Sequence, residues 1–152
     1  MPKTLDDIDH RLLALLQQDS GRTLAALGDL VGLSPSAVQR RIDRYRETGL
    51  LRREIAVVAP SSALLAVCLV TLDRESPESH RSFREWVQAA PEVQQFYNVS
   101  GDHDYVVILA TSDMAHHRET AERVIKNAPN LRRYSTMFVL DPIRTTLTVP
   151  TR

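Results

Sequence analysis

Cysteine is nearly absent from this chain: the single Cys68 lies inside the apolar run LLAVCLVTL. One cysteine excludes an internal disulfide and suits a reducing cytosol, with the thiol acting as a small core side chain. No apolar run reaches the roughly 18 residues that a membrane-spanning helix needs. The start, MPKTLDDID, is polar and acidic and lacks the apolar core of a secretory signal. Formal net charge is zero, which argues against a uniform basic coat for nucleic acid or membrane. A soluble, cytoplasmic protein is expected. Ligand-like His and Cys spacings are also missing. His116 and His117 are adjacent on an expected helix and diverge by about 100°. Asp102, His103 and Asp104 converge only if their loop folds around something. No metal site, catalytic constellation or cofactor is expected.

What charge there is, is concentrated. Between Ser34 and Arg53 six arginines (40, 41, 44, 46, 52, 53) stand against Asp43 and Glu47, a local excess of four. They sit in the stretch TLAALGDLVGLSPSAVQRRIDRYRETGLL, residues 23–51. Thr23 reads as an N-cap and Gly32 as a turn, and Leu33 as the plug between two helices. Ser34 is a second N-cap, with Pro35 at the first helical position, where its missing N–H costs nothing. Upstream, DDIDHRLLALLQQ (6–18) places Ile8, Leu12, Leu15 and Leu16 on one helical stripe, with acidic residues in its first turn. Three helices joined through a glycine turn, the last carrying arginines, describe a helix-turn-helix unit. In the third helix Val38, Ile42 and Tyr45 share the inner face. Ser36, Gln39, Arg40 and Arg44 then point outward, where Arg can pair with guanine and Gln with adenine in the major groove of double-stranded DNA. Arg41, Arg46, Arg52 and Arg53 fall toward the edges, where phosphate contact is expected. The cap residues Thr23 and Ser34 complete the expected DNA-contact set.

After the boundary RREIAVVAPSSAL (52–64) the texture changes to apolar runs. Strands are expected at 65–72, 92–100, 105–111 and 131–140, and helices at about 78–90 and 113–128. The order β-α-β-β-α-β is the ferredoxin-like pattern. A further strand is expected at IRTTLTV, residues 143–149. Ala90-Pro91-Glu92-Val93 recurs 38 residues later as Ala128-Pro129-Asn130-Leu131, which suits a sheet of two related halves. The fold class is therefore α+β, with a helix-turn-helix domain at 1–52, a linker at 53–64 and a ferredoxin-like domain at 65–152. The strands offer more apolar surface than two helices cover, so one sheet face is expected to meet a second copy.

Three motifs, LDDIDHRLLALLQQDSGRT, LVGLSPSAVQRRIDRYRETGLL and VSGDHDYVV, together with this element order, resemble the Lrp/AsnC (leucine-responsive, feast/famine) family of transcriptional regulators over essentially the whole chain. The resemblance implies a homodimer made through the sheet, assembling further to tetramers or octamers. It also implies an effector, an amino acid or related metabolite, bound between dimers near the Gly-Asp-His-Asp loop. Carried over by position, the effector residues are Gly101, Asp102 and Asp104, Met114 after the next strand, and Ser135, Thr136 and Met137 on the last central strand. The chain departs from the family pattern at Arg52-Arg53-Glu54, where a Gly-Tyr pair is usual, and at Tyr45, where an aliphatic residue is usual. The alternative is an enzyme on the same scaffold, resembling tetrapyrrole (haem-pathway) decarboxylases; the retained arginines of the third helix speak against it.

Overall fold

The computed structural model describes residues 4–56, 58 and 63–151. The chain forms two compact units, one of Met1–Val58 with Arg144–Arg152 and one of Ala59–Ile143.

The first unit is built on α1 (Asp7–Gln18), α2 (Leu24–Val31) and α3 (Pro35–Glu47). Each helix starts where its sequence caps it. The Asp9 N–H donates to Asp6 Oδ1 at 2.7 Å and the Asp6 N–H returns to Asp9 Oδ2 at 3.1 Å, a reciprocal capping box. Thr23 and Ser34 each accept from the backbone N–H three residues on. The turn between α2 and α3 depends on two glycines. Gly32 sits at φ 73°, a region costly for other residues. At Gly28 a Cβ would lie 2.4 Å from the Leu33 carbonyl oxygen, so the turn closes against bare backbone. Leu12, Leu13, Leu16, Leu27, Val31, Val38, Ile42 and Tyr45 form the core. Leu30 on α2 is exposed, and Leu50 points out while Leu51 packs against the core.

The second unit runs β1 (Leu64–Leu72), α4 (Pro77–Gln88), β2 (Val93–Asn98), β3 (Tyr105–Thr111), α5 (Met114–Thr120) and β4 (Leu131–Phe138). The sheet order is β2-β3-β1-β4 with every pair antiparallel, the ferredoxin-like arrangement. Alternation sorts the strands: Ala66, Cys68, Val70, Tyr105, Val107 and Leu109 are buried with Phe83, Val87, Val124 and Ile125. The other face carries Val67 opposite Ile108 and Met137, and Leu69 opposite Val106 and Ser135. These apolar side chains are only partly covered, and Met137 is exposed.

The internal repeat has a physical counterpart. The Trp86 indole N–H donates to the Val124 carbonyl at 3.1 Å, joining the two positions that the 38-residue offset matches. Val124 lies in a π-helical turn, Ala121–Lys126, that continues α5. The sequence reads there as uninterrupted α-helix; in a π turn a carbonyl is displaced from the regular ladder and can accept elsewhere.

The strand expected at 143–149 is absent. Residues 144–151 have no ladder partner, and Ile143, Leu147 and Val149 remain exposed. Alternation makes a strand only where an edge pairs with it. Here the Gln17 amide takes that role, accepting from Val149 N–H at 2.7 Å and donating to its carbonyl at 3.1 Å. The segment therefore groups with the first unit. Of the expected extended run at 55–59, Ile55, Ala56 and Val58 form no strand; residues 57 and 59 and the Pro60-Ser61-Ser62 linker signature lie outside the described residues.

Candidate nucleic-acid interface and ligand loop

The geometry of α3 sorts its polar residues into three groups. At about 100° per residue, Gln39, Arg40, Asp43 and Glu47 fall within about 60° of Ser36, Arg44 lies about 80° round and Arg41 about 140°. Ser36 and Arg40 are exposed, and Arg40 makes no hydrogen bond or ion pair among the described residues. Ser34 and Ser36 hydroxyls lie 3.1 Å apart. Gln39 donates to Asp43 Oδ1 at 2.8 Å, which leaves its carbonyl oxygen and second N–H for a base edge. Arg46 bridges Asp43 at 3.2 Å and Glu54 at 3.0 Å. Arg52 and Arg53 are exposed and make no ion pair or hydrogen bond among the described residues.

Arg41 and Arg44 turn the other way, onto α1. Asp9 is 2% exposed, and its Oδ1 accepts from Arg41 Nη1 at 2.5 Å, Arg44 Nη2 at 2.6 Å and the Tyr45 hydroxyl at 2.5 Å. Arg41 also reaches Asp6 at 2.9 Å. Burial by itself would raise the Asp9 carboxyl; hydrogen bonds from Tyr45, the Asp6 backbone and Arg41 outweigh it and hold the group at about 2. Burial, and then the Asp9 carboxylate, push the Tyr45 hydroxyl well above the usual phenol range. Sequence reasoning missed this hub, treating Asp9 as a first-turn acid and Tyr45 as core. The signal available was the tyrosine itself: a hydroxyl in an aliphatic position needs a buried acceptor.

In the second unit the loop after β2 is fixed by Asp104. Its Oδ2 accepts from Leu72 N–H at 2.7 Å, and its own N–H donates to the Val70 carbonyl at 2.9 Å. Gly101 has φ 116°, a backbone region that favours glycine. Around the loop stand Thr71 and Arg133, which were not singled out from sequence. His103 Nδ1 lies 3.3 Å from Thr71 Oγ1, and Arg133 reaches Thr71 at 3.4 Å and the Asp102 carbonyl at 3.5 Å.

The expected effector residues do not converge within one chain. Tyr105, next to the loop, pairs with Val70, whereas Thr111, just before Met114, pairs with Leu64 at the far end of the same strands. Six residues of strand separate these ends, about 20 Å at the usual rise. Met114 borders a shallow depression of 280 Å³ lined by Ala63, Leu64, Ser112 and Asp113. Ser135 and Met137 lie between, opposite Leu69 and Val67. Thr136 faces the helices instead, its hydroxyl 3.5 Å from the Cys68 sulfur.

His116 and His117 diverge as expected. His116 lies 3.4 Å from Glu92, while His117 is buried edge-on to Phe138 with ring centroids 4.9 Å apart. Among the described residues no group of three or more His, Cys, Asp or Glu gathers to hold a metal, and no helix is long and apolar enough to cross a membrane.

Comparison with known proteins places both units. Residues 5–46 match the AsnC-type helix-turn-helix domain and residues 65–149 the Lrp/AsnC ligand binding domain. The DNA-binding transcriptional activator DecR of Escherichia coli is 32% identical over 149 residues, covering 96% of this chain and 98% of that protein. A crystal structure of an AsnC family transcriptional regulator from Agrobacterium tumefaciens superposes with a TM-score of 0.88 at 32% identity, covering 96% of this chain and 97% of the other. A transcriptional regulator from Neisseria meningitidis, solved as its complex with L-Met, has a TM-score of 0.88 at 27% identity, covering 97% of each chain.

Proposed function

Because this chain belongs to the Lrp/AsnC family of transcriptional regulators, we propose that it reads double-stranded DNA through α3 as a homodimer and answers to an amino acid or a related metabolite. The observation that carries the reading is the exposed, unpaired Arg40 beside Ser36 and Gln39 on a helix capped by Ser34. Those side chains fit the major groove, while Thr23, Ser34 and Arg52 lie where phosphate contacts position a recognition helix. Acting on DNA, the protein works in the cytoplasm and as a regulator rather than an enzyme.

The uncovered sheet face around Val67, Leu69, Val106 and Ile108 is the surface we assign to the dimer, and tetramers or octamers follow from pairing dimers. The L-Met complex of the relative supports an amino-acid effector. Gly101, Asp102 and Asp104 at one end of the sheet, and Met114 at the other, make one site only when a second copy supplies the missing side. Ser135 and Met137 on β4 join that set, whereas Thr136, expected with them, is turned to the helices, and Asp104 contributes by shaping the loop.

The test is footprinting of the upstream region of the protein's own gene, repeated with each of the twenty amino acids, L-Met first. A protected, salt-sensitive footprint that is altered by one of them and lost in a folded Arg40→Ala variant is expected. An undiminished footprint in that variant would overturn the reading of α3, and indifference to all twenty would remove the amino-acid effector.

A further inference from the structure

By sequence, residues 34–53 carry six arginines against two acids. Folding changes that balance, because α1 brings Asp6 and Asp9 to the helix and Glu54 folds back onto Arg46. Four carboxylates, those of Asp6, Asp9, Asp43 and Glu54, then meet guanidinium groups of this stretch. Among the described residues Arg41, Arg44 and Arg46 are held in ion pairs, and Arg40, Arg52 and Arg53 are not.

Asp9 does most of this. A carboxylate 2% exposed needs one cation to be compensated, and Arg41 with the Tyr45 hydroxyl already supplies a cation and a donor. Arg44 is recruited as well, through Nη2 at 2.6 Å. Its side chain keeps 30% of its exposure and springs from the turn next to Arg40, so without Asp9 it has the length to reach a phosphate bordering the groove. We infer that Asp9 is a positioning residue for DNA contact: it draws Arg41 and Arg44 to the foot of α1, withholds both from the phosphate backbone, and leaves Arg40 as the one mid-helix arginine that reaches DNA. The inference rests on the DNA-binding reading of α3 and goes beyond it by assigning two conspicuous arginines to restraint rather than contact. Affinity for DNA of any sequence is almost wholly a phosphate term that grows with each basic contact. Sequestering two cations per helix holds that term down while the base-reading side chains remain.

The experiment measures binding of the full chain to a fluorescein-labelled mixed-sequence duplex by anisotropy across a NaCl series, where the slope of log affinity against log salt counts phosphate contacts. On mixed-sequence DNA Arg40 has no matched guanine and meets phosphate instead, so Arg40→Gln should lower the slope by about one for each helix engaged. Arg44→Gln should leave it at the wild-type value, and Asp9→Asn should steepen it and tighten mixed-sequence binding severalfold. Tyr45→Phe, which keeps both ion pairs, should lose stability but not change the slope. A fall in slope for Arg44→Gln equal to that for Arg40→Gln would overturn the inference, and so would a folded Asp9→Asn protein with an unchanged slope. If Asp9→Asn fails to fold, the Arg44→Gln and Arg40→Gln pair still decides. A wild-type protein with no salt-dependent affinity would instead refute the DNA-binding reading on which all of this rests.

Discussion

Replacing Asp9 by Asn keeps the shape of the side chain and removes its charge, and the structure gives the cost. The folded carboxyl sits at about 2 against an ordinary 3.8, a gap worth about 2 kcal/mol at neutral pH. Asn adds a second loss. Its single carbonyl can serve either the side facing Arg41, Arg44 and Tyr45 or the side facing the Asp6 N–H, but not both, so a buried donor is left unpaired. The first unit should therefore lose about 2–4 kcal/mol, near the range for breaking a buried ion pair. The sign with pH follows from the depressed value. The unfolded chain holds this proton more tightly, so the stabilisation is complete above about pH 4 and drains away as pH falls through about 2. Urea unfolding followed by far-UV circular dichroism reads the helices, while fluorescence of Trp86, the one tryptophan, follows the second unit. The expected result is an earlier helical transition in the variant at pH 6, an unmoved Trp86 transition, and a difference from wild type that narrows toward pH 2. A difference under about 0.5 kcal/mol at pH 6, well below the usual cost of breaking a buried pair, or one constant with pH, would refute the reasoning.

Two further outcomes follow from packing. Gly28→Ala gains about 1 kcal/mol of helix propensity but sets a methyl 2.4 Å from the Leu33 carbonyl oxygen; a net loss of about 1–3 kcal/mol is expected by urea titration, and a stabilised variant would show that the turn relaxes freely. Ile108→Glu puts a carboxylate on the uncovered sheet face, so light scattering should find a folded monomer; an unchanged dimer would move the interface elsewhere.

The parts legible in the sequence were those set by neighbours within four residues. Thr23, Ser34 and Pro35 mark helix starts through bonds to the next turn, and alternation along β1 and β3 survives as alternating burial. Elements therefore fall within a few residues of expectation. What stayed hidden was decided by distant partners. Arg44 has the spacing of a base-reading residue, yet an aspartate 35 positions upstream takes its guanidinium. IRTTLTV alternates like a strand, but no edge receives it, and the Gln17 amide satisfies Val149 instead. The π turn at Ala121–Lys126 has no local signature, because its displaced Val124 carbonyl answers to Trp86 on the other helix.

The balance of charge bears on how such a regulator is controlled. With three of its six arginines held by four carboxylates, a single first unit offers few free cations and one short stretch of base-reading side chains. Each base pair read is worth about 1–3 kcal/mol, too little from one helix to select a site among many competitors. Useful discrimination then requires two helices placed one helical turn, about 34 Å, apart, and that placement is set by whatever joins two copies. An effector needs no influence on the chemistry of α3; it needs only to prefer one spacing over another, since equal binding to both would shift nothing. The separation of Met114 from the Gly101–Asp104 loop along β3 fits that requirement. A ligand touching both cannot be held by one chain, so on the proposed reading its binding is by construction a preference for one arrangement of copies, and the two jobs of the protein meet in the geometry of its assembly.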